Sequence, residues 1–494
     1  MPPDPPLTAA REIRVDPLSK IANVVGPANL LTDTNLTARY LVDERRLHQG
    51  RARAVARPGS TDEMSRIVRI CCENGIGMVP QGGNTGYCGG ATPDDSGSQL
   101  VLSLERLNRV LEVDAGGHSM TLEAGVILAN AQRAAAEHGL LFPLSMGSEG
   151  SCQIGGNLST NAGGVAVLKY GTAGDLVLGL EVVLPDGRIL PGLSALRKDN
   201  TGYDLKRLFL GAEGTLGIIT AAVVKLFPRT RSSCVAWAAV TNIEAACELL
   251  ARLRAESGDT VTSFEYVSSL SLAHVIAART DVRQPLEGEY THHVLTECAT
   301  DAAPVEQAFA TAMKDGLVVD ATLAQSEAQR RAFWQIRESI PEAEKRLGGS
   351  IKHDVSVTII DVPSFIERAR QSIEAEWPDA RLSIYGHIGD GNVHFNVLAP
   401  GNADAVAFKR THGERISRIV HDLAHEMNGS FSAEHGIGQL KRNLLAQYAG
   451  DVSLDLMYTL KRALDPKGLM NPGKVVSLEA LRAIGSRQFS DRPA

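Results

Sequence analysis

The sequence lacks any apolar stretch approaching the roughly 20 residues a membrane-spanning helix needs, so membrane contact, if any, is expected to be peripheral. It also lacks runs of Lys or Arg, and a formal charge of −7 with a pI near 6.0 excludes the basic face that nucleic-acid binding requires. Cysteine is sparse: Cys71, Cys72, Cys88, Cys152, Cys234, Cys247 and Cys298 are scattered, odd in number and free of CxxC pairs. That pattern excludes a disulfide framework and a thiolate zinc site, and it fits a reducing compartment, with the cytoplasm as the expected location. The N-terminus, rich in proline, has neither a basic n-region with an apolar h-region nor the Arg/Ser character of a transit peptide, and it reads as a short polyproline-like tail.

What is present is an ordinary folded composition, with 44% hydrophobic and 22% charged residues and a mean hydropathy of −0.06. A chain of 494 residues is long enough for two domains around a large cofactor. Between residues 52 and 228, short β-rich segments are separated by Gly-rich loops. Residues 53–58 read as a strand, and Ser60 with Glu63 forms a capping-box signal for a helix ending near Gly75. Strands follow at 76–80, 100–104, 110–113 and 120–124, with a hairpin around Pro185-Asp186-Gly187. The Pro/Arg/Ser stretch 227–233 marks a boundary. Beyond it, strands at 235–240, 261–266, 293–297 and 382–385 alternate with longer amphipathic helices, which predicts an α+β domain on an antiparallel sheet. The last part of the chain reads as mostly helical up to Asn471-Pro472-Gly473 and a frayed tail.

Two loops are too rich in glycine and small polar residues for plain connections: Pro80-Gln81-Gly82-Gly83-Asn84-Thr85-Gly86 and the stretch from Gly155 to Gly164. Glycine lets the backbone approach a pyrophosphate, and successive amides form an anion-binding concavity. Either loop alone also reads as a tight turn between strands; the two together favour a dinucleotide. Neither is the GxGxxG of a Rossmann unit, so nicotinamide binding is not expected. Gly468 to Lys474 has P-loop spacing, but Val475 stands where the Mg²⁺-ligating hydroxyl belongs and Pro472 has no N–H, which argues against nucleotide hydrolysis.

The segment from Ile384 to Asn396 carries the sharpest chemistry. Asp390-Gly391 reads as a two-residue hairpin turn, which predicts Gly389 opposite Asn392, Ile388 opposite Val393 and His387 opposite His394, with Asn396 on the same face. Cross-strand imidazoles are close enough to share a metal ion. Glu434 in Ser432-Ala433-Glu434-His435-Gly436 completes a His₂Glu set with open positions, and His435 beside it is free to act as a base. A hydrogen-bonded histidine pair without metal is the alternative. His421 and His425, at i,i+4 with no third ligand of the HExxH kind, read as solvated surface residues.

These motifs, in this order, resemble the FAD-linked oxidase family with the vanillyl-alcohol-oxidase type flavin fold, in its D-2-hydroxyglutarate and D-lactate dehydrogenase branch. The match runs from about residue 50 to 476. It is carried by Gln81 to Gly86, Gly150 to Asn157, Thr160 to Gly164, Arg197 to Lys206, Gly214 to Gly217, the His387 hairpin, Ser432 to His435 and Asn471 to Lys474. The resemblance implies an α+β chain with an FAD-binding domain at 1–228, a substrate domain carrying the metal at 229–424, and a segment at 425–494 packing back on the FAD domain. It implies noncovalent FAD held by Pro80, Gln81, Gly82, Gly83, Asn84, Thr85, Gly86, Gly147, Ser148, Cys152, Gly155, Gly156, Asn157, Thr160, Asn161, Gly163, Gly164, Gly217, Ile218 and Asn471. His387, His394 and Glu434 match the metal ligands, with Zn²⁺ expected, and His435 matches the general base. Arg337 and Lys352 match the ligands of the substrate carboxylate, a job that suits guanidinium and ammonium donors, and Asn396 joins the substrate site. Pro341 departs from the pattern, because that branch can place a hydroxyl side chain there.

The expected reaction is oxidation of a D-2-hydroxy acid, D-2-hydroxyglutarate or D-malate, with His435 taking the hydroxyl proton and hydride passing from C2 to flavin N5. D-lactate or glycolate is the alternative substrate. A flavin transferase like alkylglycerone-phosphate synthase is the alternative of another class, and a binding protein without catalysis a third. The expected electron acceptor is an electron-transferring flavoprotein or the quinone pool; the layout allows a homodimer.

Overall fold

The computed structural model describes residues 16–476; the N-terminal tail and the residues after Val476 lie outside the described part. The first half is built on two main sheets over one main core. Strands Ala54–Ala56 and Met78–Gln81 both pair in parallel with Leu100–Ser103, and Leu30–Leu31 adds an antiparallel edge. The crossover helix Thr61–Asn74 starts where the sequence predicts: Ser60 Oγ accepts the N–H of Glu63, and Gly75 closes the helix at φ 65°. The capping box is shifted by one residue, since Glu63 reaches the N–H of Gly59.

The second sheet is antiparallel, in the order Val110–Asp114, Ser119–Glu123, Ile218–Lys225, Val177–Val183, Ile189–Gly192. The Pro185-Asp186-Gly187 hairpin joins the last two of these in sequence, as expected. The central strand Ile218–Lys225 has no counterpart in the sequence reading. Seven of its eight residues are buried, so it shows no alternation to betray it.

From Cys234 onward an antiparallel sheet of eight strands dominates, running Val318–Leu323, Cys234–Val240, His292–Cys298, Val261–Ser268, Arg381–Gly386, Asn392–Leu398, Ser350–Ile351, with Asp354–Ser356 also pairing to Asn392–Leu398. Alternate residues of Cys234–Val240 serve two different cores. Ala236 and Ala238 face helices Ile243–Ser257 and Ala302–Lys314; Val235, Trp237 and Ala239 face Ser269–Ala278 and Glu327–Arg346. Arg337 rides on the last of these helices, where Pro341 cannot donate to the Arg337 carbonyl four residues back.

Helix Ala405–Glu426 corrects one expectation. His425 is exposed, but His421 is buried, edge-on to His353 at 5.5 Å, because its face of the helix packs on the substrate-domain core. Further on, the chain returns to the first half. The buried Lys461 ammonium bonds the carbonyls of Thr215 and Met470 and the Asp465 carboxylate, and Met470 bridges to Met78.

Candidate active site

The first glycine loop leaves strand Met78–Gln81 and opens a cleft. None of the backbone N–H groups of Gly82, Gly83, Asn84, Thr85 and Gly86 donates to another described residue. Five free donors in a row form the concavity a pyrophosphate requires. The backbone passes so tightly that a Cβ on Gly83 would stand 2.2 Å from the Ser151 carbonyl oxygen. Opposite, Gly155 and Gly156 open the helix Ile154–Ser159, and Gln153 presents a buried side-chain oxygen with no partner. These residues fit a dinucleotide.

Of the residues expected to hold FAD, the cleft is lined by Pro80, Gly82, Gly83, Asn84, Thr85, Gly86, Gly155, Gly156, Asn157, Thr160, Gly217 and Ile218. The others stand behind it. Gln81 is buried and donates to the carbonyls of Tyr40 and Ala91; Cys152 packs under the loop within reach of the Asn157 amide; Asn161 caps a turn by accepting from Thr172 and Gly174. Asn471 ties the C-terminal segment down by donating to the carbonyls of Gly90 and Glu213. Gly147 and Ser148 lie outside the lining, and Gly163 and Gly164 face Glu434 instead. The lining adds Gln153, Ser159 and Gly214, which stand inside the glycine-rich motifs without being named as ligands, and Cys88 and Glu213, which no motif marks.

The hairpin is wider than predicted. Residues Ile388–Asp390 form a 3₁₀ turn that Gly391 closes at φ 87°, so Tyr385, not His387, lies opposite His394. His387 stands in the turn itself. Its ring still comes within 5.6 Å of that of His394, and ligand atoms of His387, His394 and Glu434 all lie within 4.8 Å of one another. His387 Nδ1 is held by Glu265 at 2.5 Å, which leaves Nε2 facing Glu434 Oε2 at 3.7 Å. Two imidazoles and one carboxylate, with one imidazole already oriented from behind, form a donor set that fits a divalent cation.

The electrostatics agree. Burial works against charging His387, yet Glu265 and Glu434 raise its pKa well above the usual value, a field that equally favours a metal ion. Burial pushes His394 down to about 3 against the pull of Asp354, keeping it in the neutral form a ligand needs. Burial would raise Glu265, but His387 and Arg337 together bring it down to about 2.

The loop bearing Glu434 and His435 hangs between two buried carboxylates. Asp354 accepts the N–H groups of Glu434 and His435 at 2.9 and 3.1 Å, and Glu213 accepts those of Ile437 and Gly438 at 2.7 and 2.8 Å. Asp354 also faces His435 Nδ1 at 3.3 Å. His435 therefore lines the dinucleotide cleft on one side and stacks on His394 at 6.2 Å on the other.

The candidate substrate cations are paired. Arg337 Nε donates to Glu265 at 2.7 Å, its guanidinium lies 4.9 Å over the Tyr385 ring, and its terminal nitrogens bond no described residue. Lys352 binds Glu344 at 2.7 Å, and Asn396 and Ser350 donate to the same carboxylate. Neither Glu265 nor Glu344 was singled out from sequence, because a lone glutamate in a strand or helix carries no pattern.

A family model described as FAD binding domain matches residues 52–191, and one described as FAD linked oxidases, C-terminal domain, matches residues 229–475. The chain is similar to the D-2-hydroxyglutarate dehydrogenase of Xanthomonas citri pv. viticola, 37% identical over 429 residues that cover 85% of this chain and 89% of that protein. It is 36% identical to the mitochondrial D-2-hydroxyglutarate dehydrogenase of Bos taurus over 471 residues, 94% of this chain and 84% of that one. Among solved structures, p-cresol methylhydroxylase with substrate bound superposes with a TM-score of 0.74 at 16% identity, covering 94% of this chain and 97% of that one. An alkyldihydroxyacetonephosphate synthase superposes at 0.71 and 16%, covering 96% and 86%; at such identities these two establish the fold alone. Matched in both halves and aligned with named relatives over most of its length, the chain belongs to the FAD-linked oxidase family, in the branch whose members are called D-2-hydroxyglutarate dehydrogenases.

Proposed function

We propose that the protein is an FAD-dependent dehydrogenase that oxidises D-2-hydroxyglutarate, or the shorter D-malate, to the 2-oxo acid, with Zn²⁺ or another divalent ion at His387, His394 and Glu434. The observation that carries this reading is the place of His435, on the wall of the dinucleotide cleft and stacked on a metal-ligand histidine. FAD supplies the acceptor for the two electrons leaving C2. The metal would supply a Lewis acid beside the substrate hydroxyl.

The chain's own residues do the rest. Burial lowers the His435 pKa despite the pull of Asp354, so the ring is in its basic form near neutral pH. With Nδ1 turned to Asp354, Nε2 is free to take the hydroxyl proton. Arg337 offers its two terminal nitrogens to a carboxylate while Nε stays anchored, and Lys352 and Asn396 stand on the same side of the sheet around Glu344. Electrons then leave to an electron-transferring flavoprotein or the quinone pool in this reading, and the seven free cysteines suit a reducing compartment such as the cytoplasm.

One observation favours a second reading. Both cations already have a buried carboxylate partner, which lowers the positive charge left for a distal substrate carboxylate and favours D-lactate or glycolate. Anaerobic bleaching of the flavin band by D-2-hydroxyglutarate, D-malate, D-lactate and glycolate, before and after EDTA, decides. Metal-dependent bleaching by the dicarboxylates supports the first reading, bleaching by the monocarboxylates alone supports the second, and none by any of them ends both.

A further inference from the structure

Glu265 touches both halves of the proposed substrate site. It lies on strand Val261–Ser268 between Phe264 and Tyr266, with its side chain 1% exposed. One carboxylate oxygen takes Arg337 Nε at 2.7 Å, and the other takes His387 Nδ1 at 2.5 Å. A carboxylate is costly to bury and persists where both oxygens are engaged by charge-assisted bonds; on a strand this apolar, a leucine would pack without that cost.

We propose that Glu265 is a positioning residue that locks Arg337 to His387, so that capture of the substrate carboxylate and capture of the metal are energetically linked. The proposal rests on the reading of the site given above. On the histidine side, the bond to Nδ1 fixes the tautomer and aims Nε2 at Glu434. On the arginine side, anchoring Nε fixes the guanidinium plane over Tyr385 and presents the terminal nitrogens as a rigid fork. Tyr385 closes a second route between the same groups, since its ring packs on His394 at 5.0 Å, and His394 lies 5.6 Å from His387. Ordering either end of this ring orders the other. The linkage is reciprocal: metal tightens carboxylate binding by the factor by which the carboxylate tightens metal binding.

The test uses the purified flavoprotein and measures Zn²⁺ affinity by competition with a chromophoric chelator, with and without 2-oxoglutarate. Affinity for 2-oxoglutarate is read from its perturbation of the flavin spectrum, with and without Zn²⁺. In the parent, each ligand tightens the other. E265Q is expected to weaken Zn²⁺ about 10- to 100-fold and to reduce the mutual tightening, leaving only the part that direct contact between the two ligands supplies. At saturating Zn²⁺ its kcat returns towards the parent value while KM for the hydroxy acid stays raised, and E265D restores part of both. R337M, which touches no metal ligand directly, is expected to weaken Zn²⁺ several-fold by releasing Glu265.

Parent-like Zn²⁺ affinity and parent-like tightening in E265Q overturn the proposal, as does a lower melting temperature with both unchanged, because that describes a structural role only. If E265Q does not fold, Zn²⁺ affinity in R337M equal to that of the parent overturns it alone. Failure of the underlying reading looks different: the parent itself, and H394A alike, bind no Zn²⁺ at this site.

Discussion

The backbone N–H of Gly164 donates to Glu434 Oε1 at 2.6 Å, joining residues 270 apart in sequence. A loop that reads as a cofactor cradle thus also holds the carboxylate of the candidate metal site. Docking of the two halves adds this bond to those Glu434 makes within its own half, so the geometry of the second site depends in part on the first.

The contact gives a prediction at the neighbouring residue. A Cβ on Gly163 would stand 2.3 Å from Glu434 Oε1. G163A is therefore expected to displace the carboxylate and lower metal affinity about 10- to 100-fold, as losses of orienting contacts do. Metal analysis by mass spectrometry after dialysis reads the loss, and flavin content measured on the same sample should stay near the parent's.

Glu213 makes a prediction about stability. Its carboxylate is the partner of two N–H groups, those of Ile437 and Gly438. E213A leaves both without an acceptor in a closely packed place, at a cost of about 1–3 kcal/mol each. Denaturant unfolding should show the loss, and kcat should fall because His435 sits on the released loop.

Asp354 orients His435, the base of the proposed reaction, through Nδ1 and through two backbone bonds. D354N keeps the shape but presents an amide that can donate to the ring, permitting the wrong tautomer. A fall of about 100-fold or more in kcat is expected, the usual size of a general-base contribution. A D354N enzyme with parent-like kcat would contradict the assignment of His435 as the base.

His293 sets a pH dependence of stability. Its Nδ1 accepts from Trp237 and its Nε2 meets the Tyr290 carbonyl, so the ring is neutral, and burial lowers its pKa to about 4 despite the latter bond. The unfolded value is about 6.5. Between these values the unfolded chain binds the extra proton, so stability is present in full above pH 6.5 and is lost as pH falls towards 4. The limiting slope is about 1.4 kcal/mol per pH unit. Buried His353, also near 4, adds to it. Urea midpoints measured from pH 7 to 4.5 should fall, and H293Q should reduce the slope by up to one proton.

How much of this the sequence announces depends on how local the cause is. The helix after Ser60 is legible because the residues that cap its N-terminus, Gly59 to Glu63, lie within four residues of one another. The first glycine loop is legible because free amides in a row need nothing from elsewhere. His387, His394 and Glu434 come together although the register differs from the one predicted: a 3₁₀ turn replaces the two-residue turn, yet it carries His387 back to His394.

What the sequence by itself determined is the chemistry available: two glycine-rich loops, a His₂Glu set of possible donors, a further histidine beside it and two cations. What only the tertiary structure decided is which groups hold those in place. Glu265, Asp354, Glu213 and Glu344 each take a donor from a strand, helix or loop distant in the chain. The physical reason is burial. A carboxylate is tolerated in the interior only where distant donors converge on it, and that convergence is a property of packing, with no trace in local pattern.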